Sequence, residues 1–122
     1  MTEGTRPSRV QEEFREILAE EIPRLKDPRV GFVTVTGVKV TADLRRAIVY
    51  YTTLGDERER RATAAGLRSA VPHLRQVIGH QVRMKVLPTL EFREDEVQRT
   101  AERVDELLRR IHREDTAPEG SA

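Results

Sequence analysis

The sequence predicts a small α+β domain, and two observations lead to that prediction. The densest run of β-branched residues, 31–41, is typical of a strand, and a second apolar run, 47–54, follows after a connector short enough for a hairpin. Segments with apolar residues at helical spacing lie on both sides of this hairpin. We therefore expect a three-stranded sheet with helices packed on one face.

The first helix is predicted to begin at Ser8, because Gln11 follows it at the capping-box spacing. Residues 1–7 are small and polar and end in a proline, so we expect a disordered tail there. After the helix, Asp27-Pro28 should turn the chain into the first strand, since a proline disfavours helical angles at the residue before it.

Apolar residues in the hairpin give further expectations. Both faces of the first strand carry valine or threonine, which suggests a strand covered at least partly on both sides. Tyr50 and Tyr51 should point to opposite faces, one buried and one exposed. We expect Phe14, Phe32 and Phe92 to lie in the core.

Asp56 is the predicted cap of a second helix, whose apolar stripe continues past Pro72. A proline forced into a straight helix costs about 3 kcal/mol, so we expect two helices that meet in a kink near Ala70–Pro72. Alternating apolar residues then predict a third strand over residues 82–92, interrupted at Pro88.

A last helix is predicted from a cap at Asp95 and an apolar stripe that reaches Ile111. The order of elements is then α-β-β-α-α-β-α, in a single domain of residues 8–112. The polar residues 113–122 are expected to form a disordered tail.

Composition excludes several classes of protein. The 122 residues contain no cysteine, which removes disulfides, thiolate catalysis and cysteine-ligated metals. The formal net charge is only +1, so an anionic partner must be met by a local patch. We see neither the apolar block of a signal peptide nor the roughly 20 apolar residues of a bilayer span. We expect a soluble, cytoplasmic protein without a membrane partner.

The sequence offers no convincing catalytic or metal site. His73, His80 and His112 lack metal-ligand spacing, and the neighbours of the first two are rich in arginine. Phosphate-binding glycine loops and a serine nucleophile turn are missing as well. We expect no enzyme activity, no metal, no cofactor and no small-molecule substrate.

Charge is segregated along the chain. Residues 66–93 hold five basic side chains against one acidic side chain, whereas residues 94–122 hold five arginines against nine acidic residues. The functional interpretation is that the basic segment faces RNA phosphate, with Arg45 and Arg46 extending it. The alternative is that these arginines are ordinary surface residues, paired with their neighbours.

The element order and several short motifs resemble the bacterial ribosome-binding factor A family, which has a type II KH domain. The motifs are Arg9-Val10, Leu25-Lys26-Asp27-Pro28-Arg29-Val30-Gly31, Val33-Thr34-Val35-Thr36 with Val38, Asp43-Leu44, Leu54-Gly55, Leu74-Arg75, Pro88-x-Leu90-x-Phe92 and Val104-x-x-Leu107-Leu108-x-x-Ile111. They cover about residues 9–111, and their joint order and spacing make the resemblance specific.

The resemblance implies a non-catalytic assembly factor. Members of this family bind the immature small ribosomal subunit, contact 16S ribosomal RNA, assist late maturation and 5′-end processing, and are needed for growth in the cold. It also implies RNA contact where KH domains carry Gly-x-x-Gly and this family carries an Ala-x-Gly kink. Here that place reads Ala70-Val71-Pro72, and Pro72 cannot donate a backbone N–H.

From the charge pattern and the resemblance together, we expect RNA to contact the kink, the third strand and the hairpin turn. The candidate residues are Arg29, Arg45, Arg46, Arg68, Ser69, Ala70, Val71, Pro72, Arg75, Arg83 and Lys85. The expected partners are 16S ribosomal RNA and the immature small subunit, bound by a monomer. Two alternatives are a protein-interaction module that docks through its last helix and an RNA-processing nuclease.

Overall fold

The computed structural model describes the backbone of residues 2–116 and the side chains of residues 8–113. Its helices are α1 (Thr2–Glu21), α2 (Glu57–Gln81) and α3 (Glu96–Thr116), with a short 3-10 helix at Ile22–Arg24. Its strands are β1 (Val33–Val40), β2 (Arg46–Thr53) and β3 (Thr89–Glu94). The predicted α+β class is confirmed.

The three strands form one sheet in the order β1-β2-β3. β1 and β2 are antiparallel, whereas β2 and β3 are parallel and are connected by α2. A bulge at Thr36 shifts the register of β1 between Val35 and Gly37. Val33 and Val38 can therefore face the same core, and the opposite face of β1 is exposed. The exposure of this face contradicts our expectation that β1 is covered at least partly on both sides.

The core lies on one face of the sheet, under α1 and α2. Phe14 and Leu18 of α1 and Leu67 and Leu74 of α2 are fully buried against inward-facing residues of all three strands. Each such side chain contributes about 1.5–3 kcal/mol through the apolar surface it removes from water. These two helices hold the sheet in place.

The aromatic residues are divided between core and surface. Tyr51 is buried and meets Phe92 edge-on, with ring centroids 6.2 Å apart, while Tyr50 lies on the opposite face and is half-buried. The predicted opposite faces and the burial of one tyrosine are confirmed, but Tyr50 is half-buried and not exposed as we expected. Phe32 is 72% exposed, so its predicted place in the core was wrong. Phe32 comes before Val33, the first residue of β1, so the alternation of buried and exposed side chains along the strand does not apply to it.

The two middle helices are a single helix, because α2 is continuous through Pro72. This corrects the break that we predicted near Ala70–Pro72. Pro72 is exposed and leaves the Arg68 carbonyl without its usual helical donor. Leu67 and Leu74, on either side of the proline, are buried in the same core, and their burial outweighs a cost of about 3 kcal/mol.

Strand β3 is shorter than predicted. It begins at Thr89, and residues 82–88 form a loop. The alternation that suggested a strand there has another cause: Val82 is buried and Met84 packs partly against the core, which anchors the loop. Val86 has no such anchor and is 69% exposed.

Both terminal helices are longer than predicted. α1 begins at Thr2 instead of Ser8, because Pro7 removes one bond of the helix without ending it. α3 runs on to Thr116. The remainder of both predicted tails lies outside the described residues. None of the described helices combines the length and the apolar composition that crossing a bilayer requires.

Helix α3 stands apart from the other two. Apart from half-buried Arg99, every described side chain from Glu96 to Arg113 is exposed. Asp95 fixes the start of the helix: its N–H donates to the Tyr51 carbonyl at 2.7 Å, and its carboxylate accepts from the Gln98 N–H at 2.9 Å. Packing on one face of the sheet therefore describes α1 and α2, and α3 is the exception.

Candidate nucleic-acid interface

Apart from Arg75, the predicted RNA-contact residues fall into two groups, one beside the turn before β1 and one beside the start of β3. The first group lies where the turn before β1 meets α2 and comprises Arg29, Arg68, Ser69, Ala70, Val71 and Pro72. The second lies at the β1–β2 turn and the loop before β3 and comprises Arg45, Arg46, Arg83 and Lys85. Since β2 has 8 residues, the two ends of the sheet are about 23 Å apart.

Arg29 is held in place by its own turn. The Asp27 carboxylate accepts from the Arg29 N–H at 2.9 Å and from its guanidinium at 2.6 Å. The same guanidinium donates to the Ser69 hydroxyl at 3.1 Å, which ties the turn to α2. Hydrogen bonding to Arg29 also lowers the pKa of the Asp27 carboxyl. Much of the donor capacity of Arg29 is thus used inside the protein.

Gly66 and Thr63, which we did not single out from the sequence, hold the turn before β1 against α2. A Cβ at Gly66 would lie 2.6 Å from the Val30 Cγ2 atom, so only glycine allows this approach. The hydroxyl of buried Thr63 accepts from the Gly31 N–H at 3.2 Å and donates to the Arg29 carbonyl. A glycine inside a helical pattern was the available signal, because it often marks close packing.

The rest of the first group differs in exposure. Arg68 is exposed and makes no ion pair within residues 8–113. Ser69 and Pro72 are exposed beside it. Ala70 and Val71 are half-buried and pack against the core, so their side chains are turned inward. This middle part of α2 therefore presents one cation, one hydroxyl and a proline ring to a ligand.

Arg75 has a structural role. Its guanidinium donates to the carbonyls of Leu87 and Pro88, both at 3.1 Å, and the side chain is half-buried. These bonds satisfy two carbonyl groups of the loop and fasten that loop to α2. Arg75 is thus better placed to hold the loop than to meet a phosphate.

The β1–β2 turn fixes the backbone of Arg45. Leu44 adopts a positive φ of 61°, and the Asp43 carboxylate accepts from the Arg45 N–H at 3.0 Å. The Arg45 carbonyl in turn accepts from the Thr89 N–H at 2.8 Å, which brings the hairpin turn beside the start of β3. The Arg45 side chain projects into solvent from this rigid turn.

The remaining cations of the second group differ in their partners. Arg83 and Lys85 are exposed in the loop before β3, and like Arg45 they make no ion pair in the described part of the chain. Arg46, by contrast, pairs with Glu91 of β3. Three unpaired cations and one paired cation therefore lie at this end of the sheet.

Comparison with known sequences identifies relatives over nearly the whole chain. Residues 6–108 match the family model described as ribosome-binding factor A. A ribosome-binding factor A of Geobacter sulfurreducens is 46% identical over 110 residues, which is 89% of this chain and 93% of that protein. One of Leifsonia xyli is 39% identical over 123 aligned positions, covering 100% of this chain and 87% of that protein.

Solved structures agree with the sequence comparison. The crystal structure of ribosome-binding factor A from Thermus thermophilus aligns with a TM-score of 0.66 at 31% identity, over 72% of this chain and 93% of that chain. A homology model of the Thermus thermophilus protein, fitted into a cryo-electron microscopy map of its complex with the 30S subunit, aligns with a TM-score of 0.57 at 32% identity. It covers 68% of this chain and 88% of that chain.

Proposed function

We propose a function for this chain from one premise: it belongs to the ribosome-binding factor A family. It binds the small ribosomal subunit as a non-catalytic assembly factor in the cytoplasm. On the immature subunit it contacts 16S ribosomal RNA and assists late maturation, including processing of the 5′ end. The observation that carries this proposal is family membership, and the relative fitted into a 30S complex supports the choice of subunit.

The placement of the unpaired cations supports RNA as the ligand. Arg68 lies near the middle of α2, next to Ser69, which contacts the turn before β1, and Arg45, Arg83 and Lys85 lie at the hairpin turn and the loop before β3. Because about 20 Å of α2 separates Arg68 from Gln81, two residues before Arg83, the protein would hold two stretches of RNA backbone at a fixed distance. Its contribution would be positional: it keeps an immature arrangement of RNA in place until folding of the subunit is complete.

Such binding must depend on salt, because each phosphate neutralised by a cation releases counterions. The test is sedimentation of the protein with small ribosomal subunits over a series of salt concentrations. We expect the variants Arg68→Glu and Arg83→Glu to bind more weakly and to reduce the salt slope by about one for each lost phosphate contact. Arg110→Glu, a charge reversal on α3, is the matched control and should bind like the wild type.

Two results would contradict this mechanism. Binding that is independent of salt would remove the electrostatic contribution, and a larger loss from Arg110→Glu than from Arg83→Glu would move the interface to α3. The assigned role in maturation has its own test. Cells that lack the protein should accumulate precursor 16S ribosomal RNA at low temperature, and the charge-reversed variants should fail to correct that defect.

A second candidate function, protein docking through α3, is favoured by one observation. Large apolar side chains on one stripe of this helix are 44% to 81% exposed: Ile111, Val104, Leu107, Leu108 and Val97. The groove between α3 and the domain is lined by the charged side chains of Arg99, Glu102, Arg103 and Glu106. The helix thus turns its charged side to the domain, and an apolar groove on a protein of the assembling subunit would fit the stripe.

A further inference from the structure

The face of the sheet turned away from α1 and α2 is mostly polar and partly exposed. We call it the open face. It comprises Thr34, Gly37, Lys39, Arg46, Ile48, Tyr50, Thr52, Thr89, Glu91 and Arg93. Its charged residues are three cations and one carboxylate. At one border of this face, the Thr36 hydroxyl donates a hydrogen bond to the Asp95 carboxylate at 2.7 Å.

Tyr50 occupies the centre of the open face. The strand register places Gly37 of β1 on one side of it and Arg93 of β3 on the other. A Cβ added at Gly37 would meet nothing within 4 Å, so one flank of the tyrosine ring borders on open space. The other flank is next to a guanidinium. The Tyr50 ring thus has open space on its Gly37 side and a guanidinium on its Arg93 side, and a planar ligand can stack on such a ring.

Charged side chains surround this ring at fixed positions. Glu91 pairs with Arg46 and, at 2.8 Å, with Arg93, so one carboxylate holds two guanidiniums over the sheet. Lys39 lies opposite Ile48 in the register and is exposed. Ile48 is only 9% exposed, although it does not belong to the core cluster. The open face therefore combines a buried apolar side chain, Ile48, with an aromatic ring, Tyr50, and more positive than negative charges.

We propose that the open face binds a single-stranded RNA segment, with one base stacked on Tyr50 in the space beside Gly37 and the adjoining phosphates near Lys39 and Arg93. This inference rests on the proposed function and adds to it a site for an unpaired base. Stacking on an aromatic side chain accepts any base, and the net positive charge suits a phosphate backbone. A single ring predicts contact with one base, in contrast to the two or three bases stacked by an RRM sheet.

Intrinsic tyrosine fluorescence can report ligand binding at this site. It contains no tryptophan and two tyrosines, and Tyr51 is 2% exposed in the core. A base stacked on Tyr50 should therefore quench the intrinsic tyrosine fluorescence of the full-length protein. The probe is a short oligoadenylate RNA, which has no base-paired structure, with a 5′-fluorescein label for a parallel anisotropy measurement. We expect quenching and anisotropy to give the same dissociation constant.

Three variants separate stacking from electrostatics. Tyr50→Ala should weaken oligoadenylate binding about tenfold. Tyr50→Phe keeps a ring, so it should bind like the wild type in the anisotropy measurement while losing the quenching signal. Gly37→Val fills the space beside the ring and should weaken binding without unfolding the protein. Circular dichroism of each variant checks that it is folded.

Failure of this inference can be told apart from failure of the proposed function. If the wild type sediments with small subunits but shows neither quenching nor oligoadenylate binding, the open-face site is overturned and the proposed function stands. Equal affinities of Tyr50→Ala and the wild type for oligoadenylate would also overturn the site. If the wild type does not bind subunits, the proposed function fails, whereas Tyr50-dependent binding of the oligoadenylate would still support the site.

Discussion

Gly66 and Gly37 are glycines for different reasons. At Gly66 the turn before β1 lies against α2, and a Cβ would overlap Val30 at 2.6 Å. At Gly37 a Cβ would meet nothing within 4 Å. In the sequence both are glycines inside regular elements, and only the tertiary packing distinguishes a close approach from an open space. The residue that positions Arg29 could therefore be suspected from the sequence but not identified.

Substitution of these two glycines by valine should have opposite effects. Gly66→Val should lower the free energy of unfolding by about 1–3 kcal/mol, the usual cost of overpacking. Gly37→Val, the matched control, should leave the stability unchanged or raise it, because a β-branched residue suits a strand. Urea denaturation measures both. An equal loss in the two variants would contradict the packing that we describe at α2.

Asp27 makes stability depend on pH. Hydrogen bonding to Arg29 places the pKa of Asp27 below its ordinary value of 3.8 in the folded protein. Its stabilising contribution is then present above the unfolded-state pKa and is lost as the pH falls through the lower, folded-state pKa. Asp27→Asn should lower the urea midpoint at neutral pH, and its difference from the wild type should shrink as the pH is lowered below 3.8.

The control for Asp27 is Asp105→Asn, which removes an exposed carboxylate on α3. Exposed ion pairs contribute between zero and about 1 kcal/mol, so this variant should follow the wild type at every pH. A difference between Asp27→Asn and the wild type that grows in acid would show that the Asp27–Arg29 interaction does not stabilise the folded turn.

At the scale of elements, α2 shows what sequence patterns can and cannot predict. Its cap at Asp56 and its apolar stripe were predictable, because the capping box and the helical period are local features. Its continuity through Pro72 was not, since it depends on the burial of Leu67 and Leu74 in a core that the whole chain builds. The strand that we predicted over residues 82–88 is a loop for the same reason: the alternating apolar residues there anchor the loop on that core.

Pro72→Ala should stabilise the protein. Alanine restores an N–H donor to the Arg68 carbonyl and removes the steric conflict, so the free energy of unfolding should rise by up to about 3 kcal/mol. Gln76→Ala changes an exposed residue of the same helix to alanine and controls for helix propensity alone. A melting temperature of Pro72→Ala equal to or below that of Gln76→Ala would mean that the proline is already accommodated without cost.

Helix α3 should be dispensable for folding. All its described side chains beyond Arg99 are exposed, so a chain that ends there retains the cap at Asp95 and the contact of Arg99 with Glu94. We expect this truncated chain to unfold cooperatively near the melting temperature of the full chain. Loss of the transition would show that α3 packs on the domain in solution. A folded fragment that no longer binds a protein partner would support the docking function.

At the scale of the whole molecule, the segregation of charge was readable from the sequence, but the availability of each cation was not. Arg29, Arg46 and Arg75 all belong to the predicted set, and the fold gives each of them a partner inside the protein. The partner of Arg46 is distant in the chain and those of Arg75 are backbone carbonyls, which composition does not show, whereas the partner of Arg29 is Asp27 of its own turn. The predicted cations that have no ion pair within residues 8–113 are Arg68 in α2 and a separate group of Arg45, Arg83 and Lys85.

We expect the two groups of cations to contribute independently to subunit binding. The two arginines share no described contact, and about 20 Å of α2 separates Arg68 from Gln81, two residues before Arg83, so the loss of affinity in the double variant Arg68→Glu/Arg83→Glu should equal the sum of the free-energy changes of the single variants. The measurement is a double-mutant cycle in the sedimentation assay at one salt concentration. A strongly non-additive result would indicate that both arginines serve the same stretch of RNA.

The parallel pairing of β2 with β3 also has a consequence for synthesis of the chain. β2 is the central strand, yet its second neighbour is made only after residues 54–88 have been translated. Until then, a nascent chain can form the hairpin but leaves one backbone edge of β2 without hydrogen-bond partners, the kind of edge that invites aggregation. We therefore expect the nascent chain to be most prone to aggregation in the interval before β3 leaves the translating ribosome.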